Sequence, residues 1–177
     1  MRPRAIVLMG FMGTGKSEVG RRLAQRLGRA FVDTDHLVEE RAGKRVAAIF
    51  ADDGETAFRA LERDAVYEAA RRTGTVISVG GGAVLDPVNV AALREAGVLV
   101  HLTASPDVIL ARVGDPRSRP LLADDPHGTV TRLLAERSPA YAAAADVTID
   151  TSNRSAEEVV EDIQQALGRS ERWKSST

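Results

Sequence analysis

The run from Ala5 to Leu27, AIVLMGFMGTGKSEVGRRLAQRL, constrains this chain more than any other stretch. Its opening residues, Ala5 to Met9, are all apolar and read as a fully buried strand. The run breaks into Gly10-Phe11-Met12-Gly13-Thr14-Gly15-Lys16-Ser17 and resumes with apolar residues at Val19, Leu23, Ala24 and Leu27, which is helical spacing. Strand, glycine-rich loop and helix in that order form the context of a G-x-x-x-x-G-K-[ST] phosphate-binding P-loop. Gly10, Gly13 and Gly15 permit backbone angles and close approaches that a Cβ would block. The loop N–H groups can then line an anion nest at the positive end of a helix. In such a loop Lys16 brings a point charge to the β- and γ-phosphates, and the Ser17 hydroxyl is a ligand for Mg²⁺. An ordinary glycine turn is the alternative reading, and the agreement of motif with context argues against it.

The chain has 177 residues, enough for one domain with a real core. A formal net charge of -1 gives no electrostatic argument for nucleic acid or an anionic membrane as partner. There is no cysteine, so disulfides and thiolate metal sites are excluded and a reducing compartment fits. His36, His101 and His127 are scattered without metal-ligand spacing. No apolar stretch approaches the roughly 18 residues of a membrane span. Met1 to Arg4 is positively charged ahead of an apolar run, but that run is short and leads into the P-loop, so a signal peptide is rejected and a cytoplasmic protein expected.

Further along, Ala30 to Asp33 is a short strand candidate ending in Asp33-Thr34-Asp35, with helices expected over Asp35 to Ala42 and Val46 to Phe50. Asp52-Asp53-Gly54 reads as a turn with N-capping chemistry ahead of a helix over Glu55 to Arg72. Thr75 to Val79 is β-branched and ends in Gly80-Gly81-Gly82. Pro87 opens a helix to Ala96 with Gly97 as its C′ residue, and Val98 to Leu102 is a fourth strand. Ser105 caps a helix to Val113, and Gly114 to Pro126 is a long aperiodic loop of the kind that usually serves function. A helix from His127 to Ala144, a strand Val147 to Asp150, and a helix Ala156 to Leu167 capped by Ser155 complete the pattern, with a polar tail after it. Alternating strands and helices predict a parallel sheet covered on both faces, with ligands at the strands' carboxyl ends. Gly10, Asp33, Gly80 and Asp150 should therefore face one crevice.

A P-loop alone does not separate switch, motor and kinase. The chain contains no Asn-Lys-x-Asp guanine motif, and the strand Thr75 to Val79 ends in glycines rather than an acid. Asp33 is then the nearest candidate for a magnesium carboxylate, and Asp35 is free to take a proton from an acceptor hydroxyl, although Asp35 also reads as a simple helix cap. Arg59 and Glu62 are i, i+3 on a helix, so a solvated pair competes with a site role. Arg112, Arg117, Arg119 and Arg137 are ambiguous taken singly.

Together these segments resemble the shikimate kinase family. The resemblance runs from about residue 5 to 167 and is carried by the P-loop, FVDTD, IFADDGETAFRALE, VISVGGGAV, SRPLL, AERSPAY and IDT in that order. It implies an α/β fold: a three-layer αβα sandwich with a parallel sheet, of the P-loop NTPase type seen in nucleoside monophosphate kinases, with a mobile lid at about 113–126. It implies one kinase domain over 1–167 and a disordered tail over 168–177. The implied activity is ATP-dependent phosphorylation of the shikimate 3-hydroxyl with Mg²⁺, in chorismate and aromatic amino-acid synthesis. The implied catalytic residues are Asp35, Lys16 and Arg119. Gly13, Thr14, Gly15, Lys16, Ser17, Glu18, Arg112, Arg119 and Arg154 are implied to hold the nucleotide, and Ser17 and Asp33 the metal. Asp35, Arg59, Gly80, Gly81, Gly82 and Arg137 are implied to hold shikimate, with Glu62 orienting Arg59. Two positions depart from the family pattern: Glu18 stands where a second hydroxyl residue is common, and Ala156 where a proline closes the adenine-side loop. The expected partners are ATP and shikimate, with no nucleic acid or membrane, and the expected state is a monomer. Another small-molecule kinase, acting on gluconate or a nucleoside monophosphate, is the nearest rival, and a non-catalytic nucleotide switch the more distant one.

Overall fold

In the computed structural model, residues 4–114, 125–169 and 173 are described. Five parallel strands, β1 (Ala5–Met9), β2 (Phe31–Asp33), β3 (Val76–Ser78), β4 (Gly97–Thr103) and β5 (Val147–Asp150), stand in the order β2-β3-β1-β4-β5. The helices are α1 (Lys16–Leu27), α2 (Thr34–Ala42), α3 (Val46–Asp52), α4 (Gly54–Ala70), α5 (Pro87–Ala96), α6 (Pro106–Val113), α7 (Pro126–Ala144) and α8 (Ala156–Arg169), with a 3₁₀ turn at Ala83–Leu85 that sequence reading missed.

The period-2 geometry of β1 divides the core. Ala5, Val7 and Met9 enter one apolar layer with Phe58, Ala65 and Tyr141, while Ile6 and Leu8 enter another with Leu23, Val160 and Ile163. Helices α2, α3, α4, α5 and α7 thus contribute to the first layer, and α1 and α8 to the second, giving the expected αβα sandwich. Every residue of β1 is fully buried, as a run with no polar alternation requires.

Helix starts follow local chemistry. Ser105-Pro106, Asp86-Pro87 and Asp125-Pro126 each pair a capping side chain with proline at the first helical position. Ser155 and Glu158 exchange hydrogen bonds in a capping box before α8. Helix α7 runs through Pro139 without ending there, and α8 extends two residues past the expected Leu167.

Two sequence expectations are corrected. Asp52 still belongs to α3, and Asp53 makes no side-chain cap; both carboxylates instead grip Lys44, at 3.1 and 2.6 Å. Gly97 is not a left-handed C′ residue. Its φ of -173° is extended, and it opens β4 directly. What demands glycine there is space, because a Cβ would stand 1.9 Å from the Ala5 carbonyl oxygen.

Gly97→Ala should therefore force the β1–β4 pairing apart at its amino end. The expected cost is about 3 kcal/mol, or a melting temperature lower by roughly 6–12 °C. Thermal unfolding followed by circular dichroism measures it, and a midpoint unchanged from the parent would show that the contact relaxes freely.

Candidate active site

The carboxyl ends of β1, β2 and β3 converge because β3 pairs with both of the others, Leu8 and Asp33 each standing opposite Ser78. The P-loop leaves β1 with Gly10, Gly13 and Gly15 at φ of 149°, 73° and 90°, all positive. At Gly10 the reason is also space: a Cβ would lie 2.3 Å from the Leu102 carbonyl oxygen at the end of β4. The Thr14 hydroxyl donates to the Phe11 carbonyl at 2.8 Å, and Lys16 Nζ donates to the carbonyls of Gly10 and Phe11 at 2.8 and 2.9 Å. The lysine ammonium is thereby held across the mouth of its own loop.

A cleft of about 800 Å³ opens beside this loop. Gly13, Thr14, Gly15, Lys16, Ser17, Glu18, Asp33, Asp35, Arg112 and Arg154 all line it. The Glu18 carboxylate pairs with Arg22, another residue of the cleft lining, at 3.1 Å. Arg154 pairs with Asp162. Asp150 does not face the crevice as expected: it is exposed and accepts from the Ser152 N–H at 2.9 Å. Its neighbour Thr151, 2% exposed, takes the place instead. Arg112 donates to the Thr151 hydroxyl at 2.8 Å and to its carbonyl at 2.7 Å, and reaches the Gly13 carbonyl at 3.4 Å. This joins the P-loop to the segment ahead of α8.

Asp33 does two jobs. Its Oδ1 accepts from the Asp35 N–H at 3.0 Å and caps α2, while its Oδ2 accepts from the Ser17 hydroxyl at 2.7 Å. A hydroxyl and a carboxylate meeting at the first turn of α1 are hard oxygen donors of the kind Mg²⁺ takes, so these residues fit that ion. Among the described residues no group of three or more His, Cys, Asp or Glu is placed to hold a metal ion by itself.

The three glycines after β3 form the other end of the site. None has positive φ, and at Gly80 and Gly82 what demands glycine is space rather than an unusual backbone angle. A Cβ on Gly80 would fall 2.8 Å from both Asp35 Oδ1 and Glu62 Oε1; one on Gly82 would fall 2.6 Å from the Arg59 guanidinium; Gly81 faces the P-loop backbone and Arg137. Glu62, 2% exposed, accepts from Arg59 at 2.6 Å through Oε2, and its Oε1 has no partner among the described residues. The Arg59–Glu62 pair is therefore a half-buried structure aimed at this corner, not a solvated surface pair. Thr34, fully buried, was missed by sequence reading; its hydroxyl accepts from the Gly80 N–H at 3.1 Å and locks β3's end to the start of α2. Arg119 and Arg117 lie outside the described residues, as does most of the expected lid, 115–124.

The electrostatics centre on Asp35. Burial first, then the charges of Asp33, Glu62 and Glu39, raise its pKa to about 6, with Lys16 opposing. A carboxyl poised there can accept a proton near neutrality and release it again. Burial also raises Glu62, against the pull of Arg59.

The family model described as shikimate kinase matches residues 12–168. A shikimate kinase of Caldanaerobacter subterraneus subsp. tengcongensis is 50% identical over 159 residues, covering 89% of this chain and 92% of that one. Among solved structures, shikimate kinase from Acinetobacter baumannii in complex with shikimate superposes with a TM-score of 0.91 at 35% identity, over 96% of this chain and 95% of that one. A gluconokinase from Sinorhizobium meliloti shares the fold at a TM-score of 0.56 and 21% identity, over 94% of this chain and 93% of that one.

The raised pKa of Asp35 carries a stability signature. The folded protein holds the Asp35 proton up to about pH 6, whereas the unfolded chain releases it near 3.8. This carboxyl therefore favours folding at low pH, loses that contribution as pH rises from about 4 to 6, and opposes folding above it. Asp35→Asn should raise the melting temperature by a few degrees at pH 8, with the gain shrinking through pH 6 and gone near pH 4. A melting temperature that falls at pH 8 would place Asp35 in a stabilising pair instead.

Proposed function

The chain belongs to the shikimate kinase family, and from that premise we propose that it transfers the γ-phosphoryl group of ATP to the 3-hydroxyl of shikimate. The product, shikimate 3-phosphate, feeds chorismate and aromatic amino-acid synthesis. The observation that carries the reading is the position of Asp35, which lines the nucleotide cleft and also stands against Gly80 at the glycine corner, where two arginines converge.

Phosphoryl transfer asks for little covalent chemistry: the acceptor hydroxyl must be held in line, relieved of its proton, and its partner phosphate surrounded by positive charge. In the proposed reaction the P-loop N–H groups, Thr14 and Lys16 hold the triphosphate, with Arg112 and Arg154 on the adenine side. Arg59 and Arg137 hold the planar carboxylate of shikimate, and the Gly80–Gly82 backbone approaches its ring. Asp35 receives the hydroxyl proton while Lys16 bears on the transferring phosphate. Arg119 is proposed from sequence alone as a second cation for that phosphate. Mg²⁺, held from Ser17 and Asp33, supplies neutralisation of the β- and γ-phosphate charge when bound.

Support for an acid rather than another acceptor comes from the pair of guanidiniums at the glycines. A nucleoside monophosphate would bring a base needing an apolar slot, and the gluconokinase likeness is one of fold only. Among the described residues no helix is long and apolar enough to cross a membrane.

ADP release by the purified protein with ATP and Mg²⁺ should be stimulated by shikimate and not by gluconate or nucleoside monophosphates; the reverse preference overturns the reading. Arg59→Ala should raise the KM for shikimate about 10- to 100-fold with little change for ATP. The kcat/KM profile should fall on the acid side with a midpoint near pH 6, the pKa of Asp35, and a limb that persists in Asp35→Asn at measurable activity would assign it to another group.

A further inference from the structure

Tyr141 on α7 is 1% exposed, yet its hydroxyl reaches out of the apolar layer and donates to the Gly81 carbonyl, 60 residues away in sequence. That carbonyl belongs to the same planar unit as the Gly82 N–H. Among the described residues no peptide bond is cis, so the two groups point in opposite directions. Fixing the carbonyl toward Tyr141 therefore fixes the N–H away from it, and Gly82 is the residue against which the Arg59 guanidinium packs. Glycine flanks this peptide on both sides, so no Cβ resists its rotation and the backbone alone sets no strong preference. We infer that Tyr141 is a positioning residue that locks the Gly81–Gly82 peptide with its N–H turned to the substrate carboxylate, beside Arg59. The inference rests on the assignment of this corner to the acid.

Three further features suit the role. Arg137 lies one helical turn before Tyr141, so the lock and the second guanidinium share one face of α7 and are set by the same helix. The His101 ring, at the end of β4, stacks on the Tyr141 ring at 4.8 Å and 20° and backs it from the sheet side. Burial raises the Tyr141 hydroxyl to about 12 and, with the Lys16 charge, lowers His101 to about 4, so through the neutral range the phenol keeps its proton and the imidazole stays uncharged. A carbonyl that accepts a hydrogen bond also polarises its own peptide and makes the opposite N–H the better donor.

Tyr141→Phe keeps the ring and its stacking and removes the hydroxyl, with its bond to the Gly81 carbonyl and its contact with Arg137; recovery by a change at Gly81 tells the first from the second. The KM for shikimate should rise about five- to tenfold while that for ATP stays within about twofold. Adding Gly81→Ala to it should recover part of the loss. The new Cβ meets only ordinary contacts at 3.6 Å and beyond, and it narrows the rotation that the lost hydroxyl no longer restrains. A purely structural tyrosine would instead weaken both substrates together, with no recovery from alanine, and either that result or an unchanged KM for shikimate overturns the inference. A measurement on the unaltered protein is independent of how Tyr141→Phe folds: the Gly82 amide proton should move downfield in nuclear magnetic resonance spectra as shikimate is added. A Gly82 amide that stays in place while shikimate is still phosphorylated overturns the lock alone. A parent protein that does not phosphorylate shikimate overturns the assignment of the corner, and the lock with it.

Discussion

One carboxylate couples the two ends of the cleft. Asp33 has two oxygens and spends them on different elements: one caps α2 and so places Asp35, the other holds the Ser17 hydroxyl at the start of α1. A change in the P-loop is therefore felt at Asp35 through a single side chain, with no intervening loop to absorb it. The pairing of β3 with both β1 and β2 makes this possible, because it sets the end of β2 and the strand that leads to Ser17 on either side of Ser78, within reach of one side-chain bond. A longer side chain at position 33 would break one link or the other.

Beyond Asp33 the site is built by removing volume. Leu102, Asp35, Glu62 and Arg59 each occupy space that a Cβ on Gly10, Gly80 or Gly82 would claim. Burying carboxylates in so little space has an electrostatic cost, visible in the raised pKa values of Asp35 and Glu62. Local strain of this kind persists because the surrounding layers over-determine it: the Arg59 helix is anchored by Phe58, Ala65 and Val66 in the core.

What was legible in the sequence was whatever is encoded locally. The P-loop announces itself by glycine spacing, the five strands by apolar runs, and the starts of α5, α6 and α8 by capping residues within three positions. What was not legible depended on partners far along the chain. Gly97 reads as a helix terminator, and only the approach of Ala5, 92 positions earlier, reveals it as a spacer. Asp53 reads as a cap until Lys44 claims it. Thr34, Thr151 and Tyr141 carry no local signal of function, since their hydroxyls matter through Gly80, Arg112 and Gly81. The arginines were ambiguous singly for the same reason, and the burial of its partner Glu62 is what distinguishes Arg59 from a surface residue.

The crowding of Asp33, Asp35 and Glu62 also bears on how a turnover ends. In the proposed reaction Asp35 is neutral just after it takes the proton, so the new phosphate monoester meets one negative charge fewer than the starting alcohol's surroundings held. Once that proton escapes to water, Asp35 regains its charge beside a dianion, in a partly desolvated corner where repulsion is weakly screened. In the proposed reaction, then, the acid that takes the hydroxyl proton also repels the finished product once that proton is gone.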